Sequence, residues 1–260
     1  MAIDDAFIQA FRLHQQQGDL FHPPGREDQA IHQASTIGAL MEGVYDGEIT
    51  YAELARLGDF GLGTFNALDG EMIAYDGRFF QMKSDGKAYP VDPAAKTPFA
   101  VVMFFDPTVK VLWEEQVGWK QFQQSVDKAV PSRNIFYAIK VKARFDHIRV
   151  RTVPRQNKPY PPLVEVAKHQ PEFTFEDVEG TLVGFRFPDY AQGLNVAGYH
   201  VHFLAADLAS GGHVLDFSMQ DARIDIDVTS KFHMEVPECG DFLAADLGKD
   251  QSEDIHAAEN

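Results

Sequence analysis

Residues 134–153 read Asn-Ile-Phe-Tyr-Ala-Ile-Lys-Val-Lys-Ala-Arg-Phe-Asp-His-Ile-Arg-Val-Arg-Thr-Val, a long alternating run rich in β-branched and aromatic residues. A period of two over such a length predicts an extended strand and commits much of the chain to a sheet. The segments on either side differ in kind. Before the run, residues 3–17 carry a short helical stripe at Ile3, Phe7, Ala10 and Phe11, which His22-Pro-Pro-Gly25 breaks. Residues 26–45 are predicted to be helical too, from Ile31, Ala34, Ile37, Leu40, Met41 and Val44, with Glu27 and Asp28 in the first turn. Thr50-Tyr-Ala-Glu53 resembles a capping box opening a further short helix.

Strand signals begin at residues 71–82, a hairpin turned at Asp76-Gly77. Residues 99–105 form a continuous apolar run, as in a strand buried on both faces, and 118–129 look helical. The proline-rich stretch 154–162 reads as a crossing between halves. Beyond it, short strands are predicted at 181–187, 198–204, 214–219, 222–228 and 232–236, and 247–260 reads as a polar, frayed tail. The expected fold class is α+β. Helices with a mixed sheet occupy 1–155, and a mostly antiparallel, β-barrel-like half occupies 156–260. Segregated helices and strands argue against a doubly wound nucleotide-binding fold.

With 21 Phe and 8 Tyr the chain can build a substantial core. Its formal net charge of −16 would repel a phosphate backbone, so nucleic acid is not an expected partner. A single cysteine, Cys239, excludes an internal disulfide framework and reads as a small apolar residue. The first residues lack a secretory pattern and no apolar run suffices to cross a bilayer, so a cytoplasmic location without membrane contact is expected.

The sharpest chemical pattern is Gly198-Tyr-His-Val-His-Phe-Leu204 followed by Gly211-Gly-His-Val-Leu-Asp-Phe217. On a strand, His200 and His202 project to one side while Val201 and Phe203 face the other. A reversal of direction over the intervening small residues would put His213 on the neighbouring strand. Three neutral imidazoles with one open position match a catalytic zinc site rather than a closed structural one. The alternative is a half-buried strand with two surface histidines. The remaining histidines are scattered, and each reads as surface or satisfied core. Gly61-Leu-Gly63 lacks the third glycine or lysine of a phosphate loop, and neither Gly-x-Ser-x-Gly nor His-Glu-x-x-His occurs.

Several blocks, in one order, resemble the α-acetolactate decarboxylase family. They are Gly58-Asp-Phe-Gly-Leu-Gly-Thr-Phe-Asn-Ala-Leu-Asp-Gly-Glu-Met72, Thr97-Pro-Phe-Ala100, Asn134-Ile-Phe-Tyr-Ala-Ile139, Lys158-Pro-Tyr-Pro161 and the histidine hairpin. The resemblance spans about residue 30 to residue 217. It implies a zinc enzyme converting acetolactate to acetoin and carbon dioxide, with Zn2+ on His200, His202 and His213. By the same matching, Glu71 and Arg151 take active-site places and Thr64 lies near the substrate. A glutamate from the tail enters the pocket, Glu259 by best match, with Glu253 a small shift away.

Periodicity alone would put Arg151 on a solvent face with His147 and Arg149, expose Glu71 after its turn, and have Thr64 merely satisfy a glycine-rich loop. In the implied chemistry the metal ion receives the charge that develops as carbon dioxide leaves, Glu71 and Glu259 are the candidates to protonate the resulting enediolate or to add a metal ligand, and Arg151 either steers the carboxylate or serves orientation or protonation instead. Two other classes compete: a cupin-like or carbonic-anhydrase-like zinc protein, and a non-catalytic binding protein with a structural metal. A homodimer is the expectation by base rate alone.

Overall fold

A computed structural model describes residues 2–17 and 29–259. In chain order these form α1 (Ile3–Gln17), β1 (Ile31–Ala34), α2 (Ile37–Met41), β2 (Ile49–Thr50), α3 (Tyr51–Leu54), β3 (Phe60–Thr64), β4 (Glu71–Tyr75), β5 (Arg78–Met82), β6 (Ala88–Pro90), β7 (Lys96–Thr97) and β8 (Ala100–Met103). Then come β9 (Val109–Trp113), β10 (Val117–Gly118), α4 (Trp119–Ala129), β11 (Phe136–Arg151), α5 (Leu163–Ala167), β12 (Glu172–Phe187), β13 (Gly198–Ala205), β14 (Gly211–Thr229), β15 (Phe232–Glu235), α6 (Gly240–Ala244) and α7 (Ser252–Glu259).

The local chemistry explains most boundaries. Thr50 and Glu53 close the capping box at the start of α3. Asp76 and Gly77 take positive φ, 49° and 73°, and turn β4 into β5. The break at His22-Pro-Pro-Gly25 and the first turn at Glu27 and Asp28 lie outside the described residues. Part of the expected 26–45 helix is instead a strand: β1 pairs in parallel with β15 and antiparallel with β8. Two partner strands satisfy its backbone, overriding a helical spacing that only Ile37–Met41 keeps. Ser35, at φ 61°, separates the two, and Thr36 caps α2 by accepting from the Ala39 N–H.

Two sheets result. The first is mixed, in the order β15-β1-β8-β3-β4-β5-β6, with β8 an interior, fully buried strand as its apolar run predicts. The second is antiparallel throughout, with β11 paired to β12 and β14, β12 to β13, and β13 back to β14. Those four strands pair in a cycle, while β9 and β10 extend from β14. The strands expected at 214–219 and 222–228 are one, β14, continuous through Asp221 at φ 51°. The division expected at 155/156 does not follow the ladders. β11, before it, is central to the second sheet; β15, after it, is an edge of the first.

Packing forms three layers of core. Phe7 and Phe11 of α1 meet Phe122 of α4 and Tyr137 on the outer face of the second sheet. Between the sheets, Phe60, Leu62 and Val101 meet Ala138, Val183, Phe185 and Leu204. Tyr51, Leu54, Phe65 and Met72 fill the far side of the first sheet. The even-numbered residues of β13, including His200 and His202, point between the sheets, whereas Val201 and Phe203 join the α1/α4 side.

Candidate active site

β13 and β14 bring the three histidines together by register. His202 stands directly opposite His213. The ring centroids of His200, His202 and His213 lie 5.0–5.3 Å apart, and one nitrogen of each falls within 4.8 Å of the others. Gly212 permits this approach, because a Cβ there would lie 2.5 Å from the Arg151 carbonyl oxygen. All three imidazoles are buried.

Main-chain carbonyls orient two of the rings. His202 Nδ1 lies 2.9 Å from the Met72 carbonyl oxygen, and His213 Nε2 lies 2.9 Å from that of Glu259. Each nitrogen donates there, which leaves His202 Nε2 and His213 Nδ1 as bare acceptors. Those two atoms and His200 Nδ1 are buried without hydrogen-bond partners. Partnerless buried acceptors are costly unless something is bound to them. Burial lowers all three imidazoles, His202 to about 3 despite the Met72 carbonyl, with Arg151 adding to the effect. They are therefore neutral near pH 7, the form a cation requires. The donor set fits a divalent metal ion.

Arg151 closes the other side. It is cross-strand partner to His213 and is 2% exposed. It shares its strand face with His147 and Arg149, as periodicity predicts, but Arg151 lies against Glu71 and Glu259, whereas His147 is half-buried and Arg149 exposed. Its Nη2 donates to Glu259 Oε2 at 3.1 Å, its Nη1 donates to Gln170 Oε1 at 3.0 Å, and Nη1 lies 3.6 Å from Glu71 Oε1. Glu71 Oε2 is 3.8 Å from His202 Nε2, and Glu259 Oε2 is 3.5–3.6 Å from His213 and His200.

Burial pushes Glu71 up to about 8, with Arg151 opposing and Glu259 reinforcing the rise. Glu259 is raised as well by burial, with Arg151 opposing. Glu71 is buried because β4 starts within the sheet, after a turn whose Gly70, at φ 91°, backs onto the Met82 carbonyl.

Thr64, opposite Glu71, lines the same cavity, but its hydroxyl donates to the Gly70 carbonyl at 2.7 Å. Glu259 is buried and Glu253 exposed, which separates the two tail candidates. The cavity left between these groups and the apolar Ile37, Leu40, Phe99 and Leu163 is about 20 Å3. That is room for about one water. A hollow of about 540 Å3 beside Lys142 and Thr181 lies away from the histidines. The carbonyls of Met72 and Glu259 leave no trace in a sequence pattern. Gln170 would emerge only from knowing the β11–β12 register.

Fold and site define a two-sheet α+β protein with an enclosed three-histidine centre that could hold a metal ion, flanked by two carboxyls and one guanidinium. The chain matches the Alpha-acetolactate decarboxylase family over residues 31–249. It is 75% identical over 260 residues to the Alpha-acetolactate decarboxylase of Methylococcus capsulatus, with all of both chains covered. To that of Methanosarcina mazei it is 46% identical over 229 residues, 88% of this chain and 80% of the other. The crystal structure of alpha-acetolactate decarboxylase from Bacillus subtilis strain 168 superposes with a TM-score of 0.87 at 41% identity, covering 89% of this chain and 99% of that one. The chain belongs to the alpha-acetolactate decarboxylase family.

Proposed function

We propose that this protein is a zinc-dependent acetolactate decarboxylase, releasing carbon dioxide from 2-acetolactate to give acetoin. The observation that carries the metal part is the buried cluster of three imidazoles, one nitrogen of each within 4.8 Å of the others, with His202 Nε2 and His213 Nδ1 left without hydrogen-bond partners. His200, His202 and His213 would hold Zn2+, the borderline-soft ion that imidazole sets commonly select. When bound, the ion would act as a Lewis acid, stabilising the charge left on the substrate's ketone oxygen as carbon dioxide departs.

The chain's own groups do the rest. Arg151, beside Glu71 and Glu259 at the histidines, binds the substrate carboxylate. Glu71, whose carboxyl burial keeps protonated in the metal-free state, is the proton donor to the carbon that lost carbon dioxide. Glu259, hydrogen-bonded to Arg151, holds the guanidinium in place. Thr64, engaged with the Gly70 carbonyl, shapes the cavity wall. Protonation from one side gives one acetoin enantiomer. A cytoplasmic homodimer completes this reading; among the described residues no helix is long and apolar enough to cross a membrane.

Incubating the zinc-loaded protein with racemic acetolactate and measuring acetoin tests the proposal. Acetoin should form with the wild type and not with His202→Ala. Equal acetoin from both would sink it. A zinc-loaded wild type that forms none would favour a non-catalytic binding protein.

A further inference from the structure

The register of β11 and β12 decides which side chain stands beside Arg151. Arg151 is paired with Glu172, and the Thr152 N–H donates to the Pro171 carbonyl at 3.1 Å, carrying the register one residue further. Gln170 is thereby the diagonal neighbour of Arg151, within reach for two long side chains. Its Oε1 accepts from Arg151 Nη1 at 3.0 Å. Glu172, directly opposite Arg151, lies instead 3.5 Å from Arg149, where both side chains are about half exposed. The exposed arginine thus receives the carboxylate and the buried one the neutral amide.

That division has an electrostatic consequence. Arg151 already faces Glu71 and Glu259. A third buried carboxylate would cancel the charge available to an anionic substrate and would itself be costly to desolvate. An amide oxygen orients the guanidinium without neutralising it. With Nη1 held by Gln170 and Nη2 by Glu259, two bonds fix the guanidinium plane, and Nε is buried without a partner.

We propose that Gln170 is a positioning residue that aims the Arg151 guanidinium at the substrate carboxylate while preserving its positive charge. This rests on the reading of Arg151 as the carboxylate-binding group.

The test is steady-state kinetics of the zinc-loaded enzyme with acetolactate, across pH, for Gln170→Ala, Gln170→Glu and Arg151→Ala. Zinc content and Tm are measured alongside. Gln170→Ala should raise KM about tenfold, the scale of one hydrogen bond to a charged group, with a smaller fall in kcat. Gln170→Glu keeps the acceptor oxygen, so its KM should approach the wild-type value at low pH and rise as the introduced carboxyl ionises. A merely structural glutamine gives no such pH-dependent KM. Wild-type kinetics in both Gln170 variants, with Arg151→Ala impaired, would overturn the role of Gln170 alone. Wild-type kinetics in Arg151→Ala would remove the reading of Arg151 and this proposal with it. Loss of Tm and zinc in both Gln170 variants, with KM unchanged in the active fraction, would make the residue structural and overturn the proposal as well.

Discussion

Each buried imidazole of the centre makes the metal-free protein sensitive to acid in a direction the structure fixes. Burial holds all three below their ordinary value of 6.5, His202 at about 3. The unfolded chain takes up protons as pH falls through 6.5, whereas the folded chain resists until much lower. Stability is therefore lost on acidification across that window, with each imidazole adding at most about 1.4 kcal/mol per pH unit. His202→Ala should make the slope of metal-free urea stability between pH 6.5 and 4 shallower by one proton. An unchanged slope would contradict the burial argument. Glu71 acts in the opposite sense. Raised from 4.5 to about 8, it keeps its proton in the folded state, and its contribution is lost as pH rises through that interval. Glu71→Gln removes this dependence and, by removing the donated proton, should lower kcat by about 10²-fold or more. A cation on the imidazoles lowers the Glu71 value, so the basic limb of the loaded enzyme falls at or below about 8. Near-normal kcat in Glu71→Gln would transfer the donor role to another group.

At the scale of elements, α7 is the part the sequence pattern conveyed least. A polar, acidic stretch reads as a frayed end, yet Ile255, Ala258 and Glu259 are buried, and α7 packs on α5 and α2. Its buried positions, Ile255, Ala258 and Glu259, are spaced as a helical stripe, but one of the three is a charged residue, and the family match ends at residue 249. What orders α7 is the site it meets: the Arg151 guanidinium and the His213 ring. Removing residues 253–260 should lower turnover by at least about tenfold, because it takes away the Glu259 carboxylate and carbonyl together. Both sheets should survive, with a loss on the scale of the buried Ile255 side chain, about 1.5–3 kcal/mol. Full activity after truncation would show α7 to be dispensable. β11 teaches the complementary lesson. Alternation gave its length and the face of Arg151 correctly. What covers that face changes along the strand, and no pattern within 134–153 encodes the opposite sheet. The same holds for β1, whose strand state depends on β15, some 200 residues away.

For the whole molecule, the site lies where the two sheets face each other, Glu71 and Thr64 from the first and the histidines and Arg151 from the second. The histidine hairpin was legible because its three imidazoles sit on adjacent strands, two of them with period-two spacing. Its union with Glu71 was carried by the resemblance, since pairing between sheets leaves no local trace. Arg151 lies between two buried carboxyls, Glu71 of the first sheet and Glu259 of α7, and so links its own sheet to both. Arg151→Ala should leave zinc bound, lower turnover by about 10²–10³-fold, and destabilise the fold by up to about 3–5 kcal/mol unless the carboxyls protonate. Calorimetry beside kinetics checks both; unaltered turnover would exclude Arg151 from the reaction. The central claim is a zinc-dependent decarboxylase, and it is tested most directly by measuring zinc content and acetoin formation from acetolactate before chelation, after it, and after zinc is restored. One zinc per chain, activity lost with the metal and regained with it is the predicted result. Full acetoin production from protein shown to be metal-free would contradict it.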